Sequence, residues 1–135
     1  MTIVLDDRPS TVASSGRLAS DLDQVQYRLG SSPCLSAATT GRPAEILDTR
    51  SDDQWPEFSA HAAEAGCDSV LSFPLPVQER VSGSMNVYGR RLTAADEGVR
   101  DLLTRFASYA VVPVSNMYLY EAAVERAEHL AVALD

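Results

Sequence analysis

Apolar and polar positions follow two different periods along this 135-residue chain, and the change of period separates strands from helices. Thr2–Leu5 is apolar and β-branched, and residues 10–14 form a weaker strand after the polar stretch 6–9. This pattern predicts an N-terminal hairpin. Apolar residues then recur at helical spacing over 18–29, and Gly30 is a natural helix end.

A second group of short elements follows in the middle of the chain. Ser32 can cap a short helix in which Pro33 takes the first helical position and which runs to about Thr40. Two further elements are predicted here: a strand over 44–47, and a helix over 55–65 that Asp52 or Asp53 caps and Gly66 ends.

The clearest strand pair covers residues 69–77 and 81–88, which alternate in polarity on either side of a short polar turn. Pro74 and Pro76 occupy alternate positions of the first strand. Because proline has no N–H to donate, this spacing predicts an edge strand or a bulged one. The residues predicted to face the core are Leu71, Phe73 and Leu75.

From residue 94 to residue 134 the chain is dominated by helix-forming residues. A continuous helix of that length would measure about 60 Å, whereas a domain of this size is roughly 35–40 Å across. One end of the helix must therefore leave the body, and Pro113 favours a kink within it.

Alternating steps of three and four residues trace a seven-residue seam along this helix, as in a coiled coil. Its members are Val99, Leu102, Phe106, Tyr109, Pro113, Asn116, Tyr120, Ala123, Ala127, Leu130 and Leu134. Up to Tyr109 we expect the seam to cover the domain's own sheet. From Tyr120 onward it predicts a dimer interface made by Tyr120, Ala123, Ala127, Leu130 and Leu134. The alternative is a frayed or folded-back tail.

Strands that interleave with helices, with a hairpin as the clearest pair, indicate an α+β fold: an antiparallel sheet covered by helices. The formal charge of −8, with 19 acidic residues against 11 arginines, argues against direct nucleic-acid binding by this domain. No apolar run is long enough to cross a bilayer, and the N-terminus lacks the features of a signal peptide. These features predict a cytoplasmic protein that does not engage membranes.

Few residues carry candidate chemistry. The two cysteines make neither a disulfide framework nor a zinc site, so we expect no metal and no cofactor. Cys34 lies at a predicted helix N-terminus, where the helix dipole lowers the pKa of a thiol; a redox role is the hypothesis and a buried structural thiol is the alternative. Phosphate-binding and hydrolase motifs are absent from the sequence.

Large aromatic residues near predicted loops and the sheet face could line a pocket for a small molecule, with one or two polar contacts. The candidate ligand-binding residues are Tyr27, Trp55, Phe58, Ser72, Phe73 and Asn86. The alternative is that these side chains simply pack in the core.

Several short strings, in order, resemble a GAF domain, the small-ligand sensor module of signalling proteins. They are QYRLGSSPC (26–34), DTRSDDQWPEF (48–58), DSVLSFPLPV (68–77), SGSMNVYGRR (82–91) and FASYAVVPVSNMYLY (106–120). They look most like the GAF domains of actinobacterial regulators in which an ANTAR RNA-binding domain often follows.

The resemblance implies a PAS-related fold with a six-stranded antiparallel sheet, helices on both faces and a pocket on one side. It also implies a non-catalytic sensor that homodimerises through its terminal helices and belongs to a transcriptional, antitermination-type regulator. We therefore expect a sensor domain over 1–118 and a projecting connector helix over 119–135, with the output domain absent from this chain.

Two alternatives to the sensor stay open at this point. One is an interaction module that dimerises without binding a ligand. The other follows GAF domains that reduce free methionine sulfoxide with pocket cysteines, for which Cys34 and Cys67 are the only candidates.

Overall fold

The computed structural model describes residues 1–75, 81–90, 98, 101–102, 104–106, 109, 113, 116 and 123–130. The regular elements, in chain order, are β1 (Thr2–Leu5), β2 (Arg8–Thr11), α1 (Arg17–Leu29), α2 (Pro33–Thr40), β3 (Ala44–Ile46), α3 (Pro56–Glu64), β4 (Ser69–Pro74) and β5 (Val81–Gly89). The described residues from Gly98 onward are helical, Pro113 included.

The strands form an antiparallel sheet in the order β2-β1-β5-β4-β3, and the α+β prediction is confirmed. Five strands are described, where the resemblance implied six. The sixth strand is not among the described residues. The predicted β4–β5 hairpin is also confirmed, with Phe73 opposite Met85.

The prediction of an edge or bulged strand for residues 69–77 was wrong about the edge, because β4 pairs with β5 on one side and β3 on the other. Pro74 is tolerated since it is the last residue of β4, two positions beyond Ser72, where the pairing with β3 ends. Its missing N–H therefore removes nothing from the ladder. Pro76 lies outside the described residues.

The N-terminal hairpin turns more tightly than predicted. Asp6 and Asp7 both have positive φ, 50° and 62°, as a two-residue hairpin turn requires. Arg8 and Pro9 consequently belong to β2 and not to the loop, and Pro9 faces Val4. A proline is acceptable there because β2 is an edge strand.

The two faces of the sheet differ in chemistry. One face carries an apolar cluster centred on Ile3, Leu71, Phe73, Leu75 and Met85. The other face receives α2, which packs on β4 and β5, and α1, which contacts β2, β5 and α3. Its apolar part includes Ile46, Trp55, Phe58 and Val70, whereas its centre is polar.

The predicted caps at Ser32 and Gly30 are confirmed, whereas the N-cap of α3 is Trp55, not Asp52 or Asp53, and no side chain makes a cap hydrogen bond to that helix. The Ser32 hydroxyl accepts a hydrogen bond from the Leu35 N–H at 3.4 Å, and Pro33 begins α2. Asp52 Oδ2 accepts from the Trp55 N–H at 2.8 Å and from the Ser59 hydroxyl at 2.8 Å, which ties the preceding loop to α3. Gly30 ends α1 in the left-handed conformation, with φ of 72°.

The expectation that the seam covers the sheet up to Tyr109 was wrong. Leu102, Phe106 and Tyr109 are 66%, 57% and 81% exposed in the single chain. These three side chains therefore do not cover the sheet. Val99, Tyr120, Leu134 and the predicted boundary between residues 118 and 119 lie outside the described residues.

Gly83 is where β1 and β5 approach most closely, and it provides a test of the fold. A Cβ added there would lie 2.7 Å from the Thr2 carbonyl oxygen and 3.0 Å from Ile3 Cδ1. We expect Gly83→Ala to lower the free energy of unfolding by about 1–3 kcal/mol, because backbone must shift to accommodate the methyl group. Urea denaturation measures this.

The control is Gly16→Ala, since an added Cβ at Gly16 meets nothing within 4 Å. Its cost should stay below about 1 kcal/mol, the scale of a weakened helix cap. Equal effects of the two substitutions would contradict the close approach at Gly83.

Candidate functional site

A group of buried polar side chains lies between α1 and the sheet and forms the centre of the candidate site. Thr2, Ser72 and Ser84 are fully buried on the sheet, and Asp23 and Gln26 are buried on α1. On the sheet, Thr2 pairs with Thr11 and Ser84, and Ser72 pairs with Asn86, so these side chains share one face. On α1, Asp23, Gln26 and Tyr27 share one face through helical spacing.

Five of these side chains close a ring of hydrogen bonds, called here the polar ring: Thr2, Thr11, Asp23, Tyr27 and Asn86. Thr11 Oγ1 donates to Asp23 Oδ2 at 2.9 Å, and Thr11 lies 2.8 Å from the Tyr27 hydroxyl. The Tyr27 hydroxyl lies 2.6 Å from Thr2 Oγ1. Asn86 Nδ2 closes the ring by donating to Thr2 Oγ1 at 3.0 Å and to Asp23 Oδ1 at 3.1 Å.

The number of hydrogens that each hydroxyl can donate fixes the direction of every hydrogen bond in the ring. A hydroxyl has one hydrogen, and Thr11 uses its own on Asp23. Tyr27 must therefore donate to Thr11, and Thr2 to Tyr27. Asn86 is oriented independently, because its Oδ1 accepts from the hydroxyls of Ser72 at 3.0 Å and Ser84 at 3.1 Å.

Tyr88 and Gln26 extend the polar ring towards α2. The Tyr88 hydroxyl donates to Asp23 Oδ1 and accepts from Gln26 Nε2 at 2.7 Å. Gln26 Oε1 accepts from the Cys34 N–H at 2.9 Å. Asp23, which is 1% exposed, thus accepts hydrogen bonds from Thr11, Asn86 and Tyr88, the compensation that a buried carboxylate requires.

Burial raises the pKa of each weak acid around the ring. The pKa of Tyr27 rises to about 12 and that of Tyr88 rises further; desolvation is the main cause in both, and the Asp23 charge adds to it. The pKa of Cys34 rises to about 11, chiefly through desolvation. This direction is opposite to the one predicted for Cys34 from the helix dipole, and the full burial of the thiol favours the alternative, a structural cysteine.

The six predicted ligand-binding residues lie in three places. Tyr27, Ser72 and Asn86 meet in and beside the polar ring. Trp55 and Phe58 lie in the apolar cluster on the same side of the sheet, and Phe73 lies on the opposite face. Both cysteines are free and buried, and Cys67 Sγ donates to the Ser69 carbonyl at 3.2 Å.

Sequence reasoning missed Asp23, Gln26 and Tyr88, which hold the ring together. A signal was available: one face of β5 carries Ser82, Ser84, Asn86 and Tyr88, an unusual polar run for a central strand. The same stripe of α1 carries Asp23, Gln26 and Tyr27. Two polar faces in elements that must pack together indicate a buried network.

An open cleft lies at the β3 edge of the sheet, and none of its lining residues belongs to the polar ring. Its volume is about 530 Å³, and its lining residues are Ser36, Thr40, Arg42, Pro43, Ala44, Glu45, Gln54 and Trp55. Of the predicted ligand-binding residues, Trp55 lines this cleft. Within the described ranges, no group of three His, Cys, Asp or Glu side chains could hold a metal ion.

A family model for the GAF domain matches residues 1–112. The chain belongs to the GAF family. The expectation from the five sequence strings is confirmed at this level.

Two solved structures share the GAF fold of this chain. One, from Sinorhizobium meliloti 1021, is described as a domain of a two-component sensor histidine kinase protein; it is 15% identical, with a TM-score of 0.64 over 90% of this chain and 81% of that one. The other is the GAF domain region of a protein from Geobacter sulfurreducens PCA described as a membrane protein; it is 17% identical, with a TM-score of 0.60 over 84% and 78% of the two chains. No curated protein matches this chain. No described helix is both long and apolar enough to cross a membrane.

The polar ring predicts a large and specific cost for removing the Asp23 charge. In Asp23→Asn, the new amide cannot accept from Thr11, Asn86 and Tyr88 together, and its NH₂ group meets groups that already donate. We expect the free energy of unfolding to fall by about 2–4 kcal/mol, measured by urea denaturation.

Asp21→Asn is the matched control, since Asp21 lies two residues away on the same helix and is exposed. It should change stability by less than about 0.5 kcal/mol. Similar losses in both variants would mean that the ring does not stabilise the fold.

The raised pKa values predict a loss of stability at alkaline pH. In the unfolded chain the Cys34 thiol ionises near its ordinary pKa of 9.0, whereas in the folded chain its pKa is about 11. Between these values the unfolded state releases a proton that the native state retains, so stability falls as pH rises above about 9. Tyr27 extends the effect from its ordinary 10.0 to about 12.

Urea midpoints measured between pH 7 and pH 11 should therefore decline above pH 9, and Cys34→Ala should reduce that slope. Ser15→Ala is the control, because Ser15 is exposed and carries no group that ionises in this range, so the profile should not change. A flat profile in the native sequence would contradict the burial of these groups.

Proposed function

We propose that this chain is a non-catalytic sensor domain that binds a small molecule and signals through helix-mediated homodimerisation. Membership of the GAF family supports the sensor role, since GAF domains are typically sensory or regulatory. The finer role, as part of a cytoplasmic transcriptional regulator of the actinobacterial GAF–ANTAR type, rests on the sequence strings alone.

The exposed seam is the observation that carries the dimer proposal. Its described members are helical and exposed without exception: Leu102, Phe106, Tyr109, Pro113, Asn116, Ala123, Ala127 and Leu130. Burying a leucine or phenylalanine side chain contributes roughly 1.5–3 kcal/mol, and the seam holds several such residues. A second copy of the chain offers the same spacing, which is what coiled-coil packing requires.

We propose that this interface begins earlier than the sequence predicted. Ala123 and Ala127 bury little area, so an interface confined to the terminal residues would be weak. Phe106, at 57% exposed, and Leu102, at 66% exposed, supply the larger side chains. We therefore extend the proposed interface back to Leu102.

Ligand binding would act on this interface through its unequal affinity for two arrangements of the helices. The experiment is sedimentation equilibrium of the full chain in the absence and presence of compounds found by thermal-shift screening of nucleotides, amino acids and small metabolites. A stabilising compound that also changes the dimer dissociation constant supports the sensor proposal. Stabilisation with an unchanged dimer constant counts against signalling through this interface.

An interaction module that binds no ligand is the second candidate. The polar ring supports it in one respect. The space between α1 and the centre of the sheet is filled by side chains that satisfy one another. A dimer that no compound stabilises would support this candidate. A methionine sulfoxide reductase is disfavoured by the burial of Cys34, whose raised pKa keeps it a thiol near neutral pH.

The seam predicts which substitutions abolish the dimer. Phe106→Glu and Leu130→Glu each place a charge on the seam, so we expect each to weaken dimerisation at least about tenfold by sedimentation equilibrium. His129→Glu is the control, because His129 is exposed and adjacent to Leu130 but lies off the seam. Should all three variants remain equally dimeric, the interface lies elsewhere.

A further inference from the structure

We propose that Asn116 sets the register and the orientation of the dimer, in which two copies of the seam run parallel and Asn116 of each copy hydrogen-bonds to Asn116 of the other. The inference rests on the proposed function and specifies how its dimer is built. Asn116 is helical and exposed in the single chain, so its amide is accessible to a second copy.

Asn116 differs in chemistry from the rest of the seam, whose other members are aliphatic or aromatic. A single asparagine at a core position of a coiled coil lowers stability but fixes register, because its amide must find a partner across the interface. An amide carries both donors and an acceptor, so it can pair with a copy of itself, which a carboxylate or a guanidinium cannot do. This self-complementarity favours a second copy of the chain as the partner.

The sequence around Asn116 allows two acidic chains to approach each other. The net charge of −8 opposes association in general. Residues 106–120, however, include no Asp, Glu, Arg or His, and the chain has no lysine. At 1.5 Å per residue, a helical segment of that length measures about 22 Å. Like-charge repulsion is therefore absent from the middle of the seam, where Asn116 lies.

The alternating steps of the seam decide between the two orientations. In a parallel pair without a shift, each seam residue faces its own counterpart, so Asn116 faces Asn116. In an antiparallel pair, steps of three and four coincide only where a residue that begins a three-residue step faces one that ends such a step. Asn116 would then face Val99, Phe106, Pro113, Tyr120, Ala127 or Leu134.

Among these six residues, Tyr120 alone has a side chain that can hydrogen-bond. Opposite any of the other five, a buried amide would lose its hydrogen bonds to water without replacement. The parallel pair satisfies both amides in one layer and leaves every other layer apolar. Asn116 therefore favours that arrangement.

Pro113 supports the same register. It lies on the seam three residues before Asn116 and is helical. Proline cannot donate to the carbonyl of the residue four positions earlier, here Tyr109, and it favours a bend at that point. Two bent helices stay in contact on both sides when their bends lie at the same level, as in the unshifted parallel pair. A shift of one heptad would separate the bends by about 10 Å.

Disulfide cross-linking of the full chain measures the register. Ala123 lies one heptad after Asn116 on the seam and is exposed in the single chain. A disulfide needs the two Cβ atoms within about 4.5 Å, so Ala123→Cys can form one readily only in the unshifted parallel pair. In a glutathione redox buffer we expect it to form a covalent dimer at least about tenfold faster than Glu128→Cys, which lies off the seam. The native chain is the blank, since Cys34 and Cys67 are buried.

Asn116→Leu distinguishes a residue that sets register from one that only packs. We expect it to tighten the dimer at least about tenfold by sedimentation equilibrium, because the polar layer costs stability. Combined with Ala123→Cys, it should nevertheless slow cross-linking, since shifted and antiparallel pairs are no longer disfavoured. Asn116→Gln retains the amide and should keep most of the cross-linking rate. His129→Leu is the control, because it replaces an exposed polar residue off the seam and should change neither quantity.

A dimer that fails to cross-link through Ala123→Cys would overturn the parallel arrangement and leave the proposed dimer standing. Asn116→Leu that does not tighten the dimer, or that tightens it with undiminished cross-linking, would show that Asn116 does not set the register. A native chain that stays monomeric at every concentration would overturn both this inference and the dimer of the proposed function. A dimer that cross-links as expected but ignores every compound would remove the signalling role alone.

Discussion

The buried carboxylate of Asp23 is the constraint on which the arrangement of α1 against the sheet depends. A charge in this position is tolerable only if hydrogen-bond donors surround it. Those donors come from β2 in Thr11 and from β5 in Asn86 and Tyr88. A rotation of α1 that removed Asp23 from these partners would leave them unsatisfied as well, so the helix has one favourable orientation on the sheet.

This constraint also makes the centre of the sheet a poor place for the ligand proposed above. Apolar cores adapt to small shifts, whereas a network whose donors and acceptors are all matched gains nothing from an additional polar group. Among the described residues, the centre of the domain is closed in this way, and an open cleft lies at its edge, between α2, β3 and the loop before α3. Trp55 belongs to both the cleft and the core, because it lines the cleft and packs in the apolar cluster with Phe58 and Val70.

Features that depend on neighbouring residues were predicted from the sequence, whereas features that depend on pairing between distant residues were missed. The caps at Ser32 and Gly30 and the β4–β5 hairpin depend on neighbouring residues, and they were predicted correctly. The central position of β4 depends on its pairing with β3, whose partner residues are 24 to 28 positions away in the chain, and Pro74 alone could not reveal this. Asp23 looked like an ordinary solvent-facing acid because its partners lie 12 to 65 residues from it in the chain.

The seam shows a second limit of prediction from the sequence, because its pattern fits two different arrangements. A seven-residue apolar repeat fits a helix that covers a sheet and a helix that pairs with another helix equally well. The exposure of Leu102, Phe106 and Tyr109 distinguishes the two for these residues: they do not cover the sheet, which leaves them available for the dimer proposed above. The proposed interface, extended from Leu130 back to Leu102, would lie closer along the chain to the sheet than an interface that begins at Tyr120. A change in the sheet or in α1 could then reach the partner without travelling along a projecting helix.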